Sequence, residues 1–406
     1  MSRMRAGFTG KELVLILACL TIVATCYGLA RYAYGLFIPL FRQDLGLGDA
    51  QLAFTASAFY GSYFLVALLA ISQAHRLTPR VSIALGGVAA ATGMLIVAGA
   101  GSLPMLLVGV SLAGISPALA YMPLSKVIEA AVAGPRQSLA YGIVNTGTSL
   151  GVALSGPVAI FWGQGWRGAW VAFAAFGLLS TFFCLSRIAP APAKVAGQPA
   201  IGEKSATGLS DLRVPGGALL QLFSFLIGVA CSVYWTFSAD LVAATTPGWE
   251  VERIFWITVG LAGFGGALVG PLVGWLGLLP ATSVFALMVG GASLALAHGA
   301  GYSGALLSGA LFGAAFNLLS ASLGLWAMQI YRGRSSAGFG LTFLTLSAGQ
   351  FVGPLVVGGL AGRVGLTEIY LWAALAMLIL AALAPLILGG AKQRSRLWDC
   401  WRKRVR

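Results

Sequence analysis

The sequence predicts an all-α polytopic membrane protein with twelve transmembrane helices in two pseudo-symmetric six-helix bundles. Three observations carry this reading. The 406 residues are 58% hydrophobic and only 9% charged, against roughly 25% charged in a soluble chain. Apolar stretches long enough to cross a hydrocarbon core of about 30 Å recur from Leu13 to Leu388. The second half of the chain repeats features of the first. A β-barrel is excluded, because its strands would alternate apolar and polar over about ten residues.

In chain order the spans are 13–40, 51–74, 81–101, 104–131, 137–161, 168–187, 215–243, 254–276, 281–301, 304–330, 336–361 and 367–389. The first run is too long for a cleaved signal, and no small-residue cleavage site leads into a polar segment, so it is expected to stay as helix 1. Basic residues decide the orientation. Arg3, Arg5, Lys11, Arg76, Arg80, Lys126 and Arg136 fall at one end of the spans. Arg187, Lys194, Lys204, Arg213, Arg332, Arg334 and the cations after Gly390 join them. The other end holds Arg42, Arg167, Arg253 and Arg363. The positive-inside rule then makes both termini cytoplasmic in a multi-pass protein of the cell membrane, the inner membrane if the cell is bacterial. The net charge of +14 is thereby assigned to topology, and nucleic acid is not an expected partner.

Residues 187–214 are rich in Pro, Ala, Gly and Lys and read as a cytoplasmic linker. They separate an N-terminal bundle (1–186) from a C-terminal bundle (215–390). A basic cytoplasmic tail (391–406) follows. Trp398 and Trp401 among its cations suit a segment lying on the anionic face of the lipid bilayer. Cys19, Cys26, Cys184, Cys231 and Cys400 show no metal spacing and read as small hydrophobes and a reduced thiol, not as a disulfide framework.

The halves match by simple shifts. Moved by 200 residues, Gly28, Ala30, Tyr34 and Phe37 fall on Gly228, Ala230, Tyr234 and Phe237. Moved by 198, "RQSLAYG" (136–142) falls on "RSSAGFG" (334–340) and Gly151 on Gly349. Gly156-Pro157 and Gly353-Pro354 follow, one residue out of register. Parallel halves imply a twofold axis along the membrane normal, with a binding site between the halves near the midplane.

Over nearly its whole length the chain resembles the major facilitator superfamily, in helix count, linker position and the helix 5/11 repeat. Arg31-Tyr32-Ala33-Tyr34, followed by Pro39, resembles the YbfB/YjiJ-type branch related to cyanate permeases. The Arg-to-Pro spacing is also similar to helix 1 of the glycerol-3-phosphate/phosphate antiporters, where the arginine binds phosphate. Their second binding arginine, in helix 7, is matched here by Cys231, which argues against a dianionic phosphate ester. The resemblance implies secondary active transport, by symport or antiport, in a monomer without cofactor or metal. The family's loop between helices 2 and 3 usually reads Gly-x-x-x-Asp-Arg-x-Gly-x-Arg. Here it is "ISQAHRLTPR" (71–80), with His75 for the Asp and Thr78 for the Gly. Glu129, near the inner end of helix 4, can still pair with Arg76 or Arg136, as a cytoplasmic gate or as a plain interfacial ion pair.

Arg31 is the residue that most needs an explanation. The apolar run Leu13–Phe41 reaches about 43 Å as a helix, so Arg31 lies too deep to snorkel easily to either surface. A central arginine costs about 2.5–3.5 kcal/mol on insertion scales. Helical periodicity sets Tyr27, Gly28, Tyr34 and Gly35 on its face. A guanidinium grips a carboxylate through two parallel hydrogen bonds, and tyrosine hydroxyls supply further donors. Arg31 therefore points to a small organic anion, monocarboxylate-like. The structural alternative is an arginine tied to helix carbonyls or polar side chains for folding.

Further lining candidates are Tyr60 and Tyr63 in helix 2, Tyr121 in helix 4, Asn145 in helix 5, Tyr234 in helix 7 and Asn317 in helix 10. Helix 7 also offers Trp235, and helix 11 offers Gln350. Tyr34 and Tyr234 stand out because they occupy matching positions. Asp240, toward the outer end of helix 7, is either an interfacial carboxylate or a proton-coupling acid. Nucleotide loops, metal clusters and nucleophile–base pairs are absent from the sequence, so an enzyme is not expected. Efflux of drug-like compounds is the competing reading, because the helix 5 glycines and Gly156-Pro157 loosely resemble an antiporter signature.

Overall fold

In a computed structural model of the chain, residues 7–73, 77–188, 214–248, 250–299, 301–332 and 334–388 are described. Twelve helices are long and apolar enough to cross a membrane. They are α1 (Gly10–Leu45), α2 (Asp49–Leu69), α3 (Pro79–Ala98), α4 (Leu103–Ala131), α5 (Arg136–Trp162) and α6 (Trp166–Arg187). The second set is α7 (Gly217–Thr245), α8 (Val251–Leu276), α9 (Leu278–Ala297), α10 (Gly301–Ile330), α11 (Ala337–Val364) and α12 (Leu366–Ala384). Twelve crossings put the start of α1 and the end of α12 at the same side of the bundle, the terminal side; the opposite side is the far side. Most of the predicted linker, all of the basic tail, His75 and Arg76 lie outside the described residues.

Local chemistry fixes the helix ends. Thr9 caps α1: its hydroxyl accepts from the Glu12 amide at 3.3 Å, and Glu12 accepts from the Thr9 amide at 2.8 Å. Gly46, at φ 64°, takes the left-handed conformation that stops α1 and turns the chain toward Asp49. Pro79 begins α3 at a position where a missing N–H costs nothing.

Four spans that read as continuous in sequence are locally altered. A π-helical stretch, Ala24–Tyr32, interrupts α1 and contains Arg31. A 3-10 turn, Phe264–Leu268, breaks α8 at Gly265 and Gly266. The α-helical hydrogen bonding of α4 lapses between Ala120 and Leu124, where Pro123 offers no N–H. A break at Thr146 divides α5. Wider turns in α1 remove the 3.6-residue period on which a face assignment rests.

Helices α1–α6 form one half and α7–α12 the other. Within the first half, the π-helical part of α1 packs on α5; within the second, α7 packs on α11. Both contacts run through the glycines that the repeat had matched. A Cβ on Gly28 would meet the Gly151 backbone, and one on Gly349 would meet the carbonyl of Phe225. Such close backbone approach replaces the hydrophobic drive that is missing inside a membrane. The halves then meet chiefly along three pairs, α1/α7, α2/α11 and α5/α8. Small residues seal these as well: Gly35 abuts the Trp235 carbonyl, Gly260 the Ala153 backbone, and Gly358 the Ala53 side chain. Helix α1 is the most enclosed, with 72% of its most apolar window buried, against 33% for the peripheral α12.

Gly28→Ala is expected to force α1 from α5 and cost about 1–3 kcal/mol by overpacking. Gly359→Ala, where a Cβ meets nothing, is expected to be silent. Thermal unfolding of the two purified variants checks this, and equal melting temperatures would contradict it.

Candidate functional site

Arg31 is 4% exposed. Five aromatic rings surround its guanidinium: Tyr63 at 4.4 Å, Tyr60 at 5.1 Å, Tyr32 at 5.3 Å, Tyr27 at 5.4 Å and Phe59 at 5.8 Å. Each ring turns its negative face or a part of it toward the cation, worth about 0.5–2 kcal/mol per good contact. The Nη2 group donates to Oε1 of Gln350 at 2.5 Å. This bond joins α1 of one half to α11 of the other. Gln350 is 2% exposed, and the α7–α11 glycine contact holds its backbone in place, since a Cβ on Gly228 would meet the Gln350 amide. Among the described residues, none of the ion pairs includes Arg31. The positive charge is solvated by rings and an amide, and is left without a counter-ion.

An aromatic and amide path leads from Arg31 toward the terminal side. The hydroxyls of Tyr27 and Tyr63 lie 3.4 Å apart. Tyr27 meets the edge of Tyr121 at 5.3 Å, and Tyr121 donates to Asn145 at 2.6 Å. Asn145 is exposed even though it lies well inside α5, and Tyr27 and Tyr121 are half-buried. Toward the far side the surroundings close. A cavity with room for about one water molecule (≈ 10 Å³) lies among Arg31, Tyr32, Tyr60, Gly35, Trp235 and Thr236. Beyond it, Arg42 at the end of α1 pairs with Asp49 of α2 and with Asp240 of α7, each at 2.6 Å. Arg253 of α8 pairs with Glu250 and donates to the Gly163 carbonyl of the other half at 3.1 Å.

The residues expected from sequence separate into two groups. Tyr27, Tyr60 and Tyr63 stand around Arg31, with Tyr121 and Asn145 on the adjoining path. The other candidates are employed elsewhere. Tyr34 lines the small cavity, but its hydroxyl is given to the Leu52 carbonyl at 3.0 Å. Tyr234 is stacked on Phe312 at 3.7 Å and bonded to Ser308 at 2.6 Å, inside the second half. Asn317 holds Ser149 of the first half at 3.1 Å and the Gly263 carbonyl at 3.0 Å, beside the break in α8. Asp240 is paired with Arg42 toward the far side.

The expected pairing of Arg136 with Glu129 is corrected. Arg136 bonds Glu12 at 2.9 Å and the Gly7 carbonyl at 2.7 Å. The capping box occupies one Glu12 oxygen and aims the other at the start of α5, so Arg136 meets that carboxylate first. Glu129 offers its backbone carbonyl to Gln137 at 3.2 Å. Pairing with Arg76 falls outside the described residues.

Trp235 and Gln350, offered from sequence as further lining candidates, stand at Arg31 together with Tyr32 and Phe59, which were not singled out as binding residues. Tyr32 follows Arg31 directly, and helical periodicity sets neighbours apart; the π-helical stretch and a stack on Trp235 at 4.1 Å bring it in. Gln350 carried one signal: it is a deep amide next to Gly349, a glycine fixed by the repeat.

The profile of the Major Facilitator Superfamily matches residues 20–354. The chain belongs to that superfamily, and is a transporter rather than an enzyme. Its fold is similar to that of a POT family transporter in complex with 5-aminolevulinic acid, with 14% identity, 94% of this chain and 98% of that one covered, and a TM-score of 0.76. It is also similar to the nucleoside transporter NupG, with 14% identity, coverage of 93% and 99%, and a TM-score of 0.72. A D-xylose-proton symporter gives 14% identity, coverage of 92% and 96%, and a TM-score of 0.72. At these identities the likeness is one of fold. No curated protein matches the sequence.

Glu12→Ala and Arg136→Ala are each expected to lower the melting temperature by a few degrees, and the double variant by less than their sum. Glu129→Ala is expected to leave it unchanged. Additive losses from Glu12 and Arg136 would contradict the pairing.

Proposed function

We propose that this superfamily member is a secondary active carrier that moves a small organic anion, monocarboxylate-like, by alternating access around Arg31. The observation that carries the reading is a fully enclosed guanidinium at the seam of the two halves that no described carboxylate neutralises. A carboxylate arriving there gains two parallel hydrogen bonds in a setting of low dielectric. Gln350 occupies one of those donors and ties the halves together, so an anion that displaces it also releases the tie. The tyrosines suit the apolar body of such a substrate. The Arg31-Tyr32-Ala33-Tyr34 run keeps the YbfB/YjiJ-type, cyanate-permease-related branch as the proposed subgroup.

Orientation follows the basic residues: the terminal side faces the cytoplasm of a multi-pass cell-membrane protein, and the working unit is a monomer. Exposed Asn145 then faces the cytoplasm, and the Arg42–Asp240 pair closes the outer side. Arg136 with Glu12 braces the inner end, where Arg76 and Glu129 remain proposed gating residues. Tyr34, Tyr234 and Asn317 are retained as residues that shape the site, Tyr34 through the small cavity and the other two through packing. Asp240 is the proposed proton-coupling group: a proton on its carboxylate removes the charge that holds Arg42, and with it a link between the halves. A multidrug or metabolite efflux antiporter is the second reading, which the aromatic cage favours because stacked rings also hold neutral apolar compounds. A non-transporting receptor is the third.

In proteoliposomes, Arg31→Ala is expected to abolish monocarboxylate flux and Arg31→Lys to cut it more than tenfold, because lysine keeps the charge but loses the planar fork. Carboxylate flux that survives Arg31→Ala while dye export disappears would move the assignment to the efflux reading. Asp240→Asn is expected to leave exchange of anion for anion intact and to remove the response to an imposed proton gradient. A response equal to that of wild type would exclude Asp240 from coupling.

A further inference from the structure

We propose that Trp235 of α7 is a second anion-binding residue, and that its indole N–H and the Nε–H of Arg31 form one seat for a single carboxylate oxygen. The proposal rests on the reading of Arg31 as the anion site and adds the residue by which the opposite half takes hold of the substrate.

Two buried donors have no partner here. Nε of Arg31 and Nε1 of Trp235 are both enclosed and unbonded, and their residues are each 4% exposed. An unbonded buried donor costs about 1–3 kcal/mol, so two on neighbouring residues need a reason. Both residues line the same small cavity. Of the described residues with a buried, unbonded polar side-chain atom, these two alone line it. The cavity holds about one water (≈ 10 Å³), the size of one oxygen atom with its share of space.

The chemistry of the seat favours an acceptor with negative charge. Indole N–H and guanidinium N–H only donate. The Nη2 group of the guanidinium is already given to Gln350, and the Tyr34 hydroxyl is committed to Leu52. A water resting here accepts both bonds but brings no charge to Arg31. A carboxylate oxygen accepts both and supplies the missing counter-charge.

Trp235 is also held for the task. Its ring stacks on Tyr32 at 4.1 Å and meets the edges of Phe312 at 5.1 Å, Phe316 at 5.3 Å and Trp256 at 5.7 Å. The indole cannot turn its N–H elsewhere without breaking that packing. Arg31 belongs to the first half and Trp235 to the second. The seat is therefore complete only while α1 and α7 are together, and an anion in it bridges the two bundles. When the halves separate on the far side, one donor leaves with each half, and the anion is free to exchange.

The test uses the full-length purified protein with the indole nitrogens of tryptophan labelled with ¹⁵N, titrated with acetate, lactate and benzoate. Wild type, Arg31→Ala and Trp235→Phe are compared by thermal shift and by the indole N–H resonances, the Trp235 signal being the one absent from Trp235→Phe. Phenylalanine keeps the stack on Tyr32 and removes the N–H. The expected result is binding by wild type, none by Arg31→Ala, and binding weakened roughly tenfold or more in Trp235→Phe, as for loss of a hydrogen bond to a charged group. The Trp235 resonance of wild type moves on titration. If Arg31→Ala loses binding while Trp235→Phe binds as wild type does and the resonance stays in place, this proposal is overturned and the reading of Arg31 stands. If Arg31→Ala binds as wild type does, or no anion binds, the reading of Arg31 falls and the seat with it. Should Trp235→Phe fail to fold, Trp235→His, which retains a ring N–H, supplies the assignment, and the wild-type resonance decides.

Discussion

One positive charge is held deep in the bundle, and none of the described carboxylates pairs with it. Among the described residues, Arg253, the other buried arginine, has Glu250 and Glu252, and Arg42, Arg136 and Arg167 each have a carboxylate as well, whereas none of the ion pairs includes Arg31. Arg31 has five ring faces and one amide. Those contacts are together large enough to offset an insertion cost of about 2.5–3.5 kcal/mol, so the fold tolerates the cation. A carboxylate in the same place would have cancelled its field and left nothing for a substrate to recognise. Rings and an amide stabilise the charge and leave its attraction for an anion in place.

That arrangement requires close helices. Glycine lets α1 sink against α5, lets α4 sink against α2 at Gly114 beside the Phe59 carbonyl, and lets α11, which carries Gln350, sink against α7. Larger residues at Gly28, Gly151, Gly228 or Gly349 would open these contacts, and donors placed for a bond of 2.5 Å would drift out of range. The π-helical stretch has a related effect. It carries both Arg31 and Tyr32, and the stack on Trp235 holds the Tyr32 ring beside the guanidinium.

The seam between the halves is graded from one side to the other. At the far side the Arg42–Asp240 ion pair and the bond from Arg253 to the Gly163 carbonyl cross it, in the middle the Arg31–Gln350 and Asn317–Ser149 hydrogen bonds do, and toward the terminal side the ring-and-amide path lies within the first half. A charged link breaks at a cost that depends on protonation and ligands. Rocking of rigid halves about such a seam needs few bonds to change.

Much of this was legible in the sequence. Hydrophobic content and run length are local properties, and they are what the membrane selects, so the twelve spans and their order could be read directly. The glycine repeat could be read too, because backbone contact excludes every other side chain in both halves. The depth of Arg31 required only counting along the chain. Tertiary structure alone decided the partners. Gln350 stands 319 residues from Arg31, Asp240 stands 198 from Arg42, and Glu12 displaced Glu129 as the partner of Arg136. A hydrogen bond depends on helix rotation and depth to within a few tenths of an ångström. Those are set by the packing of all twelve helices at once, and no local pattern of residues encodes them.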